Sequence, residues 1–302
     1  MYNSNNRALL RAPPKLTILK FFKKVLNDWS LDYSSMLAYT FMISLLPIAV
    51  TVFGVIAFVP NLRADVKQKI LEAFPDNSTR ASIQQVLDLA SNQLRRDAGG
   101  LLALGIVFTI FSTSRLFVLI DNVMQIIYRL EQRGFIKQNL VAIGMVFVFI
   151  LLIVLIIAAA SAPSFLLAPV HQAAGRFGIY IAGIVTSLLL SFILFEVIYL
   201  IMPNKKIKIK QTWCGSLVAA VLFEIFIILF PLYVRHFMTN YVGYVGLVIV
   251  LLLFFYYFAV ILLLGSQINA YWFERIQPFP DAQATFISKM FKLYEMRSGQ
   301  RK

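Results

Sequence analysis

Six long apolar stretches dominate the pattern of hydrophobic and polar positions along the chain. Each is close to the roughly 20 residues that a helix needs to cross a bilayer. They cover approximately residues 35–59, 101–127, 139–160, 178–202, 215–237 and 244–270. Lipid offers exposed backbone groups no hydrogen-bond partners, so such segments must be helical. The pattern therefore predicts an all-α integral membrane protein, built as a bundle of six transmembrane helices.

The segments outside these stretches predict further helical regions. Residues 1–34 contain KLTILKFFKKVLNDW, in which apolar residues recur at helical spacing among lysines. This basic amphipathic helix is expected either to lie on the cytoplasmic membrane face or to pack against the ends of the spans. Residues 60–100 hold two helically periodic stretches, which indicates a helical outer loop. Residues 35–271 then form the membrane domain, and residues 272–302 a charged cytoplasmic tail.

Composition and charge agree with a membrane location. The chain is 60% hydrophobic and 14% charged, whereas soluble domains are about 25% charged, which excludes a soluble globular enzyme. Of the 28 Lys and Arg residues, 19 fall on the side that holds both termini. The positive-inside rule therefore places both termini in the cytoplasm. These cations form no continuous stripe with interleaved aromatics, so we expect membrane lipids as partners and no nucleic acid.

The sequence lacks the residue patterns of common catalytic and metal sites. Cys214 is the single cysteine, which excludes an intramolecular disulfide and a cysteine-based metal cluster. The two histidines, His171 and His236, lie in different outer segments without a carboxylate-rich motif nearby. There is no HExxH, Walker or GxSxG motif. We therefore expect no enzyme, no catalytic residue, no metal and no cofactor.

Strongly polar residues inside the predicted spans are the main functional clue. Arg115 lies near the middle of the second span, where a charge costs about 3 kcal/mol even on lenient insertion scales. Asn122 is seven residues from Arg115 and shares its helix face. Glu196 and Glu224, on other spans at similar depth, are the expected partners of Arg115. Such a pair either holds the bundle in register or lines a hydrated pocket that is open to the cytoplasm, with Arg115 binding an anion.

Smaller polar residues extend this candidate cavity. Ser44 and Pro47 belong to a face of small residues in the first span, which indicates either close helix packing or a kinked cavity wall. Gln267 and Asn269 fall near the inner end of the sixth span. The predicted polar cavity thus comprises Arg115, Asn122, Glu196, Glu224, Ser44, Pro47, Gln267 and Asn269.

Four stretches of the chain carry distinctive motifs. The first span contains SSMLAYTFMISLLPIAVTVFGVIAF, and the second ends in LIDNVMQIIYRLEQRGF. The third stretch is YLIMPNKKIKIKQTWCGSLVAAVLFEIFIILFPLYV, and the last span ends with Gly265 and Asn269. Over about residues 30–275 these motifs resemble the YihY/virulence factor BrkB family, most strongly in the third stretch. The chain departs from the family at Phe254-Phe255, where tryptophan is frequent, and at Gln267, where glutamate is frequent.

This resemblance implies a six-span protein of the bacterial inner (plasma) membrane. The family was once labelled ribonuclease BN, but nothing in this sequence activates water or binds a catalytic metal. Members have also been linked to serum resistance and to the passage of lipid or small solutes. The leading hypothesis is a transporter or lipid-handling protein that is not driven by ATP, with a cytoplasm-facing polar cavity for an anionic lipid or small solute. The alternative is a non-transporting scaffold that binds lipids or protein partners.

Overall fold

The computed structural model describes residues 18–58, 80–81, 83–85, 98–167, 173–237, 244–279 and 283–299. Most of the predicted outer loop lies outside these residues. All regular structure in the described part is helical, and six helices are long and apolar enough to cross a membrane, as predicted. The helices are α1 (Ile18–Asn27), α2 (Ser30–Phe58), α3 (Ala98–Ile127), α4 (Phe135–Leu167), α5 (Ala173–Ile201), α6 (Ile209–Phe237), α7 (Tyr244–Ile268) and α8 (Gln283–Gly299).

The six long helices, α2 to α7, form a closed ring. Each packs against its neighbours in chain order, and α7 completes the ring by packing against α2. Helix α1 contacts both α2 and α7. We call the end of the bundle that holds α1, the α3–α4 connection and the α5–α6 connection the base. Helices α2 and α3 run in opposite directions, since Ser44 contacts Ser112 while the later Thr51 contacts the earlier Thr109.

Large side chains fill the centre of the bundle near the base. Phe117 and Ile120 of α3 meet Phe195 and Tyr199 of α5 and Leu262 of α7, all of them buried. Lipid tails are as apolar as these side chains, so burial away from water adds little to helix association in a membrane. Close packing and interhelical hydrogen bonds hold the helices together instead.

Glycines bring α6 and α7 into backbone contact. A Cβ atom on Gly215 would lie less than 3.0 Å from the Gly265 carbonyl oxygen, and one on Gly265 would clash with the Tyr199 hydroxyl. The Tyr199 hydroxyl donates to the Leu262 carbonyl at 2.7 Å. After α7 the chain winds into a π-helical turn, Asn269–Phe273. Only a residue without a side chain fits where the two helices cross.

Hydroxyl groups connect α2 to α3. The Ser112 hydroxyl donates to that of Ser44 at 2.9 Å, and the Thr51 and Thr109 hydroxyls are 2.8 Å apart. Helix α2 continues through Pro47, whose carbonyl accepts a hydrogen bond from the Thr51 hydroxyl at 2.9 Å. The small-residue face of α2 therefore makes close contact with α3. Of the two interpretations of this face, the contact agrees with close helix packing.

Both terminal regions contain helices with exposed apolar residues. Phe21 and Val25 of α1 pack against Tyr271, whereas Phe22 and Leu26 are exposed. Packing against the spans is thus observed, and a second apolar stripe of α1 stays uncovered. The charged tail contains α8, which sequence analysis did not identify. Its exposed residues at helical spacing include Ile287, Met290, Phe291 and Tyr294.

Candidate functional site

A buried group of ionised and amide side chains joins α1 to α3 and α7 at the base. Lys24 and Asp28 are both fully buried, and the ammonium donates to the carboxylate at 2.7 Å. Lys24 also donates to the side-chain oxygen of Gln267 and, at 3.3 Å, to the Ile127 carbonyl. The Arg129 guanidinium forms an ion pair with the other Asp28 oxygen. We call Lys24, Asp28, Arg129 and Gln267 the basal ion network.

Local backbone geometry places these groups. Lys24 and Asp28 are four residues apart and share a helix face. Trp29 and Arg129 adopt left-handed φ values of 56° and 54°, which end α1 and α3 abruptly. The Arg129 guanidinium also stacks on the Phe279 ring, with its central carbon 3.6 Å from the ring centroid. The left-handed backbone at Arg129 is unfavourable for a residue with a side chain. In this conformation the Arg129 side chain reaches the buried Asp28 carboxylate.

Burial lowers the pKa of Lys24 from its ordinary value of 10.5 to about 8. Asp28 partly offsets this by attraction, and Arg129 lowers the pKa further. Burial also lowers the pKa of Arg129. One carboxylate thus faces two cations, so the network has an excess positive charge that loss of the Lys24 proton would remove.

We expect stability to depend on pH through Lys24. Between about pH 8 and 10.5 the folded protein has released this proton while the unfolded chain still binds it, so the free energy of unfolding rises with pH. The test compares the thermal stability of the wild type and Lys24→Met in detergent across this range. The wild type should gain stability relative to the variant as pH rises. If the difference in stability between the wild type and Lys24→Met stays constant across this pH range, the lowered pKa of Lys24 is contradicted.

A second network joins α3, the α3–α4 connection and α5. Asp121 is buried and forms an ion pair with Arg133. Arg133 also donates to the Met202 carbonyl at 2.7 Å, so it satisfies a free carbonyl at the C-terminus of α5. Gln125 donates to Asp121 at 3.0 Å and to the same Met202 carbonyl at 3.1 Å. The charge of Asp121 is therefore paired with an arginine that lies beyond its own helix.

Shallow grooves open on the base beside Arg133. One is lined by Arg133, Lys137 and Asn204 together with the apolar side chains of Leu140 and Val141. An adjoining groove shares Arg133 and Asn204 and adds residues from the end of α5 and from the α5–α6 connection. These are Leu200 and Ile201 of α5, and Pro203, Lys205, Lys206 and Ile207 of the connection. The surface is thus basic on one side and apolar on the other.

Glu196 forms a separate polar site between α5 and α6. Its side chain is 7% exposed, and its two carboxyl oxygens accept hydrogen bonds from the Thr212 and Ser216 hydroxyls, each at 2.5 Å. Further from the base, Glu224 of α6 accepts from the Ser187 hydroxyl at 2.7 Å. The two glutamates bond to different hydroxyl groups.

Arg115 lies on the exterior of the bundle. The neighbouring residues Phe117 and Ile120 mark the buried face of α3, and the Arg115 side chain is exposed on the opposite face. Its central guanidinium carbon is 5.3 Å from the ring centroid of Phe111, which is also exposed. Two turns closer to the base, Asn122 accepts a hydrogen bond from Gln138 of α4 at 2.6 Å. We call Arg115, Asn122, Gln138 and Lys137 the exterior polar track, since they lead from mid-depth to the basal groove.

The structure does not bring the eight predicted cavity residues into one cavity. Gln267 joins the basal ion network, and Asn269 accepts from the Gly215 amide at 2.8 Å. Ser44 and Pro47 lie at or near the contact between α2 and α3. In the described part of the chain Arg115 pairs with neither Glu196 nor Glu224, contrary to prediction. Helical spacing correctly groups Arg115 with Asn122, but spacing alone does not identify which face of a helix points inward.

Sequence reasoning missed the residues that complete these networks. Helical spacing places Lys24 mainly on the side of α1 opposite its apolar residues, but the structure buries Lys24 fully. Arg129 carried no signal beyond lying next to a span, and Arg133 carried only its place in the LIDNVMQIIYRLEQRGF motif that resembles the family. Thr212 and Ser216 were detectable in principle, because their spacing of four places two hydroxyls on one face of α6. In the described ranges no group of three His, Cys, Asp or Glu residues is placed to hold a metal ion.

Comparisons with known proteins identify the family. The ribonuclease-like protein YfkH of Bacillus subtilis is 28% identical over 279 residues, which cover 87% of this chain and 98% of that protein. A UPF0761 membrane protein of Ralstonia nicotianae is 28% identical over 75% of this chain and 52% of its own, so the chain spans about half of that relative. A UPF0761 membrane protein of Idiomarina loihiensis is 26% identical over 74% of this chain and 78% of its own length. No solved structure matches the chain. The family model described as virulence factor BrkB matches residues 21–285, and the chain therefore belongs to this family of membrane proteins.

Proposed function

We propose that the protein handles anionic lipids without using ATP, by guiding their headgroups along the exterior polar track. The observation that supports this most strongly is the position of Arg115. It lies about midway along the apolar segment Leu102–Ile127 and is exposed on the face of α3 that points away from the bundle. A lipid phosphate that enters the bilayer beside Arg115 with its water would neutralise the guanidinium charge, and the guanidinium would neutralise the phosphate.

An isolated cation in hydrocarbon is costly, and Arg115 bears this cost. A central arginine costs about 2.5–3.5 kcal/mol on insertion scales, and bilayer thinning and water defects reduce its cost further. Within the described residues, the contact of the Arg115 guanidinium is with Phe111, and a cation–π contact recovers about 0.5–2 kcal/mol. The same thinning and water defects lower the free-energy barrier that a lipid headgroup meets when it enters the bilayer core. The cost of inserting Arg115 would therefore be linked to easier headgroup movement.

The basal groove provides the entrance to the track. Lys137 attracts phosphate, Asn204 offers hydrogen bonds, and Leu140 with Val141 forms an apolar wall that suits the start of an acyl chain. Lys206, from the adjoining groove, adds a second exposed cation. A juxtamembrane basic residue attracts an anionic membrane surface by about 1 kcal/mol. The groove therefore favours anionic over zwitterionic lipids.

The proposal includes an orientation with the base in the cytoplasm of a bacterial inner membrane. The exposed lysines Lys20, Lys23, Lys137 and Lys206 all lie at the base, as the positive-inside rule requires of a cytoplasmic side. Labelling of a cysteine introduced at Lys292 by a membrane-impermeant reagent, in intact cells, would contradict this orientation.

Replacing Arg115 by leucine is expected to slow lipid movement about tenfold or more, because the headgroup loses the mid-depth cation that the described part of α3 offers it. The measurement uses purified protein in liposomes that contain fluorescent phosphatidylglycerol, with a reagent that quenches only the outer leaflet. Lys208→Gln, at an exposed basal lysine that does not line the groove, serves as the control. Equal rates for the wild type and Arg115→Leu, or no protein-dependent movement, would refute the proposal.

A non-transporting scaffold is the second candidate function. It is favoured by the large side chains that fill the basal half of the bundle, such as Phe117 and Phe195, and by the exposed apolar residues of α1 and α8. The ribonuclease-like name belongs to the Bacillus relative, and the proposal assigns this chain no enzymatic activity. Loss of stability without a change in lipid movement in the Arg115 variant would favour the scaffold.

A further inference from the structure

Helix α8 carries an apolar stripe that is exposed along its length. The members of the stripe recur at the spacing of one helix face, and they are Ile287, Met290, Phe291 and Tyr294. Phe291 and Tyr294 are 61% and 70% exposed. Thr285, Ser288 and Lys292 lie on the other side of the helix and are exposed as well. The helix is therefore amphipathic, and the bundle does not cover its apolar side.

The chain that leads to α8 is fastened to the base at Phe279. The Asn27 side-chain amide donates to the Phe279 carbonyl at 2.8 Å, and the Arg129 guanidinium stacks on the Phe279 ring. Helix α8 begins four residues later, at Gln283. Four residues span at most about 14 Å. The start of α8 therefore stays near the end of α1, whichever direction the helix then takes.

Tryptophans indicate that this part of the base lies at the membrane surface. The chain has three tryptophans, and each is between 37% and 46% exposed. Trp29 follows α1, Trp213 lies near the start of α6, and Trp272 lies in the π-helical turn after α7. Tryptophan side chains concentrate in the headgroup layer of a bilayer. Trp272 also contacts Phe21, with ring centroids 4.7 Å apart, which places α1 in the same layer.

Helix α1 shows the pattern of α8 at a position that the bundle fixes. Phe21 and Val25 pack against Tyr271, so one side of α1 faces protein. Lys20 and Lys23 are exposed on a second side. The third side is an exposed apolar stripe of Ile18, Leu19, Phe22 and Leu26. At the level of the headgroups, acyl chains cover such a stripe while the lysines stay beside the phosphates.

The charge of the tail favours anionic phospholipid as the partner of α8. Residues 281–302 contain five Lys and Arg residues but two Asp and Glu residues. A second copy of α8 would bring the same excess of positive charge against the first, whereas anionic headgroups attract it. We infer that α8 lies flat on the bilayer at the base, with its apolar stripe among the acyl chains and its polar side at anionic headgroups. This contact does not depend on the proposed lipid movement, because α8 is not part of the exterior polar track.

Spin labels on the full-length protein in phosphatidylglycerol vesicles test the inference. The labelled variants are Ile287→Cys and Phe291→Cys on the stripe and Thr285→Cys and Ser288→Cys on the polar side, each combined with Cys214→Ser. Oxygen, which concentrates in lipid, and a nickel chelate, which stays in water, report the depth of each label. The stripe labels should lie about 5–10 Å below the headgroups. The polar-side labels should remain accessible to the nickel chelate.

Charge reversal tests the choice of anionic lipid. Lys292→Glu should move the label of Phe291→Cys towards water in phosphatidylglycerol vesicles. Vesicles of zwitterionic phosphatidylcholine should have the same effect on the label when Lys292 is unchanged. Lys208→Glu, the matched control at an exposed basal lysine outside α8, should leave the label at its depth. A label that is equally deep in both lipids and in Lys292→Glu would overturn the assignment of anionic lipid.

Two results with the four labelled variants would overturn the contact itself. If every label is accessible to the nickel chelate, α8 projects into water. If the stripe labels are shielded from both oxygen and nickel, protein covers the stripe, either a second copy or another partner. Immersed stripe labels together with lipid movement that is insensitive to Arg115→Leu would support the contact while the proposed function fails. Labels in water together with slowed movement in Arg115→Leu would mean the reverse.

Discussion

Replacing Asp28 by alanine is expected to lower the free energy of unfolding by about 3–5 kcal/mol, because it leaves buried charges without their partner. Asp28 is the carboxylate that Lys24 and Arg129 share, and both cations would stay near one another without it. The Gln267 amide, which donates to Asp28 at 3.2 Å, would lose an acceptor as well. The effect should be larger than that of removing either cation alone.

Unfolding of the purified protein in mixed micelles measures this effect. Asp32→Ala is the control, because Asp32 is exposed in the first turn of α2 and such a change costs about 0.3–1 kcal/mol. Arg129→Gly separates the backbone contribution of Arg129 from that of its charge. Glycine adopts the left-handed φ of 54° without strain, while the guanidinium that pairs with Asp28 is lost. An Asp28→Ala variant as stable as Asp32→Ala would show that the basal ion network does not hold α1 on the bundle.

Introducing a side chain at Gly215 is expected to be the other severe change. The new Cβ of Gly215→Ala would lie less than 3.0 Å from the Gly265 carbonyl oxygen and from the Asn269 side chain. A backbone oxygen cannot rotate away, so α6 and α7 must separate, and overpacking of this kind costs about 1–3 kcal/mol or more. The Asn269 contact with the Gly215 amide would be lost in the same movement.

Gly144→Ala provides the matched control for this substitution. Gly144 lies in α4, and a Cβ there would meet nothing within 4 Å. Replacing a glycine inside a helix by alanine at an open position favours the helix by about 0.8–1 kcal/mol. The two variants should therefore differ in the sign of their effect on thermal stability. Destabilisation of both to the same degree would mean that the contact between α6 and α7 is looser than the structure indicates.

Different interactions hold the neighbouring helices of the bundle together near the base. The basal ion network joins α1 to α3 and α7, and the Asp121 network joins α3 to α4 and α5. Glu196 connects α5 to α6, and the glycine contact connects α6 to α7. Because a polar group buried in a membrane must find an internal partner, these side chains also determine which helices lie side by side. The exterior polar track begins at this well-connected end.

The sequence predicts the six membrane helices because each carries a long apolar run, which is a local property. Local patterns also group Arg115 with Asn122 on one face. They do not predict that this face points outward, because an exterior face and an interior face of a membrane helix are both largely apolar. The partners at the base are equally hidden, since Lys24 and Gln267 are 243 residues apart. Helix α8 was missed because charged and polar residues interrupt its apolar residues, so the segment holds no long apolar run.

The most direct test of the account is to identify what touches the exterior polar track in a membrane. A photo-crosslinking amino acid at Phe111, an exposed residue whose ring centroid lies 5.3 Å from the Arg115 guanidinium carbon, reports the neighbours of that face. The account predicts crosslinks to phospholipid, enriched in phosphatidylglycerol over zwitterionic lipid and strongly reduced by Arg115→Leu. Crosslinks to a second copy of the chain, or lipid crosslinks that do not change when Arg115 is removed, would contradict it.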